Sequence, residues 1–170
     1  MYLPLLLTLS FLSGSLMKLT DDIMDRNLRI SHLLSIPPGL AYGLFMGYLM
    51  IADANAAVLF GGIVLGCLVT GKINGIGHYF GLTGILAVLF MKGIKLSPLV
   101  FLIAALAALD ETGDMMHVKK FTFIFDYRVI LKLGILALVI LNIAGINALL
   151  ILLAFDLAYI LTEMIGRKLA

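Results

Sequence analysis

Asp110 to Lys132 reads DETGDMMHVKKFTFIFDYRVILK, and this stretch decides the fold because both of its neighbours are almost purely apolar. It sets acidic Asp110, Glu111 and Asp114 ahead of basic Lys119, Lys120, Arg128 and Lys132. Leu96 to Leu109 precedes it, and its own tail opens a longer apolar run, Val129 to Ile165. A charged island between such runs belongs at the edge of a hydrocarbon layer, with the runs inside it. Lys18 to His32, KLTDDIMDRNLRISH, has the same layout of acids followed by bases. The remaining apolar runs are Met1 to Met17, Pro37 to Ala52, Ala54 to Gly71 and Tyr79 to Met91. The expected fold is all-α, a polytopic integral membrane helical bundle with six or seven short transmembrane or re-entrant segments, forming one domain over residues 1–170.

Hydrophobic residues make up 62% of the chain and charged ones 13%, against about 45–50% and about 25% in soluble domains. The polar stretches are too short to enclose a core, which leaves no separate soluble catalytic or nucleic-acid-binding domain. The net charge of +2 is small and the bases flank apolar runs, so they read as orientation signals. No nucleic-acid partner is expected. The N-terminus lacks a basic region and meets acids instead of a cleavage site, so it reads as a retained first span. Cys67, the one cysteine, sits in an apolar run and reads as an inert buried thiol.

Tyr79 to Met91 and Leu96 to Leu109 are shorter than the ~20 residues of a perpendicular crossing. They read either as two crossings or as a re-entrant hairpin over residues 79–109. The last run reads as one crossing from Leu133 to Phe155 or, with Gly145, Ile146 and Asn147 turning the chain, as two. Seven crossings leave Lys92 and Lys95 on one side and the other ten basic residues opposite. By the positive-inside tendency the richer side is cytoplasmic. The expected location is the cell membrane, multi-pass, with an external N-terminus and both islands cytoplasmic. Gly39, Gly43 and Gly47, and likewise Gly62 and Gly66, are spaced for close helix contact in lipid.

Asp22 and Asp25 are three apart, which places both carboxylates on one face if the first helix continues. Asp110 and Asp114 are four apart, directly after an apolar run. A carboxylate at that boundary is costly unless it faces the bundle or a wet cavity. Hard oxygen ligands at this spacing suit Mg2+, which shares its shell with water and phosphate. Asp22, Asp25, Asp110 and Asp114 are on these grounds candidate functional carboxylates. Arg26, Lys119, Lys120 and Arg128 are placed for substrate phosphates or for the headgroups of membrane lipid. The plainer reading of the first island is a solvated loop with helix-capping acids. Asp156, Tyr159 and Glu163 share a helical face, and would line a cation or proton path or bond to other helices. His78 and His117 lack zinc-ligand spacing.

DDIMDR, Asp21 to Arg26, resembles the first aspartate-rich motif (N/D-D-x-x-D) of the UbiA-type intramembrane prenyltransferases. DETGD, Asp110 to Asp114, is similar to their second motif, D-x-x-G-D. The resemblance implies that Asp22, Asp25, Asp110 and Asp114 hold Mg2+ and a prenyl diphosphate near cytoplasmic helix ends. Asp21 stands in place of the usual Asn, no Thr-Leu-Pro segment follows the second motif, and the chain is little more than half the customary length. A homo-oligomer would offset that shortness. A second resemblance, to prepilin-type aspartyl peptidases, rests on the loop ISHLLSIPPGL and on GIGH at Gly75 to His78, where His78 stands at the position of that family's second catalytic Asp. The leading expectation is a Mg2+-dependent transferase acting on a lipid-linked prenyl phosphate or diphosphate at the cytoplasmic face. The alternatives are a small cation or proton-coupled transporter or channel, and a noncatalytic membrane assembly subunit.

Overall fold

The computed structural model describes residues 2–25, 31–94, 97–115 and 127–169, with 113–115 and 169 described by their backbone alone. Among these residues there are seven α-helices and no strand. They are α1 (Leu3–Asp25), α2 (Ile36–Ala52), α3 (Ala54–Val69), α4 (Ile76–Lys92), α5 (Leu99–Met115), α6 (Val129–Ile140) and α7 (Ile146–Leu169).

Local chemistry accounts for the boundaries. α1 continues past the apolar run that ends at Met17, and Lys18 pairs with Asp22 one turn on, at 3.3 Å. A 3-10 turn, His32–Ser35, leads into α2, whose first turn holds Pro37 and Pro38, where missing amide donors cost nothing. Asp53 is extended and separates α2 from α3; its Oδ1 accepts from the Asn55 and Ala56 amides at 2.9 and 3.0 Å, capping α3. The last apolar run divides in two. α6 ends at Ile140, Asn142 takes a left-handed φ of 57°, and α7 begins at Ile146. Asn55 Oδ1 accepts from the Gly145 amide at 2.9 Å and ties that turn to the start of α3.

α1 packs on α2 and α7, α2 on α3 and α4, and α3 on α5 and α7, while α6 lies against α5 and α7. Among the described residues α4 and α5 rest on different helices and not on each other. Two seams are close enough for backbones to touch. A Cβ on Gly43 would stand 2.0 Å from the Gly81 carbonyl oxygen, and one on Gly14 would stand 2.1 Å from that of Phe155. Small residues thus set the α2–α4 and α1–α7 spacing. Ser10 Oγ adds a buried hydrogen bond across the second seam, to the Ile151 carbonyl at 2.7 Å. Leu6, Met46, Leu49, Phe60, Ile63, Ile103 and Phe155 fill the core, with Phe60 and Phe155 meeting edge to face at 5.7 Å.

The outer surface is also apolar. Phe90 is 93% exposed and Phe101 70%, the reverse of a water-soluble packing order. Leu3–Asp25, His32–Ala52 and Ile146–Lys168 are long and apolar enough to cross a membrane; α3, α4 and α6 are apolar but shorter. A helix of 17 residues, such as α4, rises about 25 Å against about 30 Å of hydrocarbon.

Candidate functional site

The C-terminal ends of α1, α3, α5 and α7 meet the N-terminal ends of α2, α4 and α6 at one end of the bundle, and nearly all the described charge lies there. Helix phase decides which acids face inward. Successive residues on a helix turn by about 100°, so Asp21 and Asp22 leave α1 in different directions. Asp22 is held by Lys18 on its own helix. Asp21 points into the bundle, where His78 Nε2 of α4 lies 2.8 Å from its Oδ1 and the Tyr159 hydroxyl of α7 donates to its Oδ2. The other nitrogen of His78, Nδ1, is 3.0 Å from the Tyr42 hydroxyl of α2.

The second island contributes Glu111, Arg128 and Lys132, whose ion pairs also take in Lys72 and Asp156. Glu111 of α5 binds Lys72 at 3.4 Å and Arg128 Nη2 at 3.3 Å. Asp156 of α7 takes Lys132 at 2.7 Å and Arg128 Nη1 at 3.8 Å. Arg128 sits in the turn before α6 with a left-handed backbone, φ 49°. Burial alone would lower the pKa of its guanidinium, but Glu111 and then Asp156 outweigh burial and hold it above the ordinary arginine value, so its charge is permanent. Lys18 and Arg128 both approach the ring of Tyr159, at 5.1 and 5.4 Å from its centroid.

These groups surround a cavity of about 310 Å³. Asp21, Asp25, His78, Lys72, Glu111, Arg128 and Tyr159 are among its polar lining, and Met17, Met46, Ile63, Val64, Leu82 and Ile85 among its apolar lining. A second cavity of about 380 Å³ shares Lys72, Glu111, Arg128 and Tyr159 with the first and adds Lys18, Glu163 and Arg167. No protein family, curated protein or solved structure matches this chain. The site is therefore argued from its own chemistry.

The residues singled out in the sequence fall in different places. Asp25 lines the first cavity. Asp110 is only 1% exposed, and its carboxylate accepts from the backbone amides of Ile130 at 3.2 Å and Leu131 at 2.7 Å. Asp156 and Tyr159 share a face as expected, yet Asp156 is braced by Lys132 and Arg128, and Glu163 by Arg167 and Lys18. The side chain of Asp114, together with Arg26, His117, Lys119 and Lys120, lies outside the described residues. Among the described residues, no group of three or more His, Cys, Asp or Glu side chains is placed to hold a metal ion.

Asp21, Tyr42, Lys72, His78 and Glu111 line the cavity and were not expected as site residues. Lys72 and His78 share the short loop and helix start GKINGIGH, a polar interruption between apolar runs that could have drawn attention. Tyr42 sits inside an apolar run and carries no such signal.

Proposed function

We propose that this chain is a multi-pass membrane protein whose cavity takes a lipid-linked phosphate or diphosphate, in order to transfer a group from it at the cytoplasmic face. One observation carries the reading. A single cavity is lined both by the cations Lys72 and Arg128 and by the apolar side chains of Met17, Met46, Ile63 and Ile85, a mixture that suits a ligand with an anionic head and a hydrocarbon chain. The asymmetry of basic residues supports a cytoplasmic site and an external N-terminus. The exposed apolar side chains of the outer surface support membrane lipid as the surroundings.

Among the described residues, no three His, Cys, Asp or Glu side chains are grouped to hold an ion, so Mg2+ would depend on the ligand's own phosphates for much of its shell. Of the four expected ligands, Asp22 is held by Lys18 and Asp110 by backbone amides, Asp25 lines the cavity, and the Asp114 side chain lies outside the description. No step is assigned to the ion; Lys72 and Arg128 supply the positive charge. The alternative is an ion path along Asp156, Tyr159 and Glu163, whose two carboxylates are each paired with two cations, as Lys72 and Arg128 are paired with Glu111.

Equilibrium dialysis of radiolabelled farnesyl diphosphate against the detergent-purified protein tests the reading. Lys72→Gln, which removes one charge-assisted contact of about 1.5–3 kcal/mol, is expected to weaken binding roughly 10- to 100-fold. Binding that matches what an equal concentration of inorganic sulfate displaces, or that is indifferent to Lys72→Gln, would end the proposal.

A further inference from the structure

We infer that Tyr42, His78 and Asp21 form a proton relay for a hydroxyl-bearing acceptor, which makes the cavity a two-substrate transfer site. This inference rests on the lipid-phosphate reading above. The three side chains come from α2, α4 and α1, and all line the same cavity of about 310 Å³. With Asp21 ionised and His78 neutral, their hydrogen bonds run in one direction. A carboxylate only accepts, so His78 Nε2 carries the hydrogen that meets Asp21 at 2.8 Å. In the neutral imidazole Nδ1 is then the acceptor, and the Tyr42 hydroxyl donates to it at 3.0 Å. The Tyr42 oxygen retains lone pairs for an incoming O–H donor. Tyr159 donates to the second oxygen of Asp21 and so fixes the carboxylate behind His78.

Packing reserves the space for this arrangement. A Cβ on Gly81 would stand 2.1 Å from the Tyr42 hydroxyl oxygen, so that oxygen occupies room only a glycine leaves. One acceptor of any kind would satisfy a buried tyrosine. Here the acceptor is an imidazole backed by a carboxylate, the arrangement that allows an imidazole to take up a proton during a reaction.

In the transfer step the acceptor's O–H bond breaks and its proton joins the Tyr42 oxygen, while the phenolic proton of Tyr42 passes to His78 Nδ1. The acceptor oxygen forms a bond to the first carbon of the lipid chain. The bond from that carbon to the diphosphate oxygen breaks, and its electron pair leaves with the diphosphate beside Lys72 and Arg128. Asp21 stabilises the resulting imidazolium. Tyr42 touches the acceptor and is the catalytic residue; His78 and Asp21 are positioning residues that act through it.

The test uses farnesyl diphosphate with water as the simplest hydroxyl acceptor, measuring diphosphate release by the detergent-purified protein. Tyr42→Phe and His78→Gln are expected to lower kcat roughly 10²- to 10⁴-fold. KM and the dialysis affinity should stay within about threefold, because the relay acts only in the transition state. The chain has three histidines, so ¹⁵N-histidine labelling resolves His78, expected as the Nε2–H tautomer with an Nδ1 resonance that moves in Tyr42→Phe. Equal loss of kcat and binding in both variants would assign the network to structure alone and overturn the relay. A parent protein that binds farnesyl diphosphate without releasing diphosphate would overturn the relay and leave the binding reading standing. Failure to bind would remove both.

Discussion

Replacing Asp110 separates two incompatible roles for the same carboxylate. α6 is only 12 residues long, and its N-cap residue, Arg128, has no side-chain acceptor to offer. Its second and third amides, Ile130 and Leu131, instead donate to Asp110 from α5, which lies about one helix diameter away. Losing a cap costs about 0.5–2 kcal/mol, and a hydrogen bond to a charged group contributes about 1.5–3 kcal/mol. Because the site is nearly sealed, Asp110→Ala leaves two donors unpaired and should destabilise the protein by about 2–4 kcal/mol. At roughly 2–4 °C per kcal/mol for a chain of this size, the melting temperature falls by roughly 4–16 °C. Asp110→Asn keeps one acceptor but turns an amide donor towards the other N–H, so it too should lower the melting temperature. Cys67 is the sole cysteine and is 6% exposed, so a thiol-reactive dye reports unfolding directly. The scan is run in chelator and without lipid phosphate. A carboxylate reserved for a metal would behave in the opposite way: in chelator its removal relieves repulsion from Glu111 and leaves stability unchanged or improved. A melting temperature in Asp110→Ala within about 1 °C of the parent would refute the capping argument.

Two further outcomes follow from the geometry. Gly43→Ala drives a methyl group to 2.0 Å from the Gly81 carbonyl, so α2 and α4 must separate; the expected loss is about 1–3 kcal/mol or more in the same thiol assay, and an unchanged melting temperature would mean that the seam is looser than described. In a Cys67→Ala background, single cysteines at Asp25 and Thr112 should label from the same face of sealed vesicles, and one at Asn142 from the opposite face. Labelling of positions 25 and 112 from different faces would break the bundle.

Much of the architecture could be read along the chain. Asp53 interrupts an apolar run where a helix ends, because a polar capping residue stops a helix whatever surrounds it, while the last run turns over residues 141–145 at the left-handed Asn142, just ahead of the Gly145, Ile146 and Asn147 that the sequence suggested. The charged islands met at one end because helices that alternate in direction return every second connection to the same side. The acids within the islands were harder to apportion. Spacing placed Asp22 and Asp25 on one face, but it could not show that Asp21 was the one turned towards α4 and α7. Asp110 was marked as a boundary carboxylate in need of a partner, and its partners are the amides of Ile130 and Leu131 on α6.

The sequence by itself determined an all-α fold class and the collection of charge into two islands, because these depend on hydropathy over a few consecutive residues. Only the tertiary structure decided that Tyr42 meets His78, that His78 meets Asp21, and that Lys72 and Arg128 share Glu111. Those contacts depend on the rotation of each helix about its axis and on how near its neighbour stands. At α2 and α4 that distance is set by glycines touching backbone to backbone, a relation between residues 43 and 81 that no local pattern records.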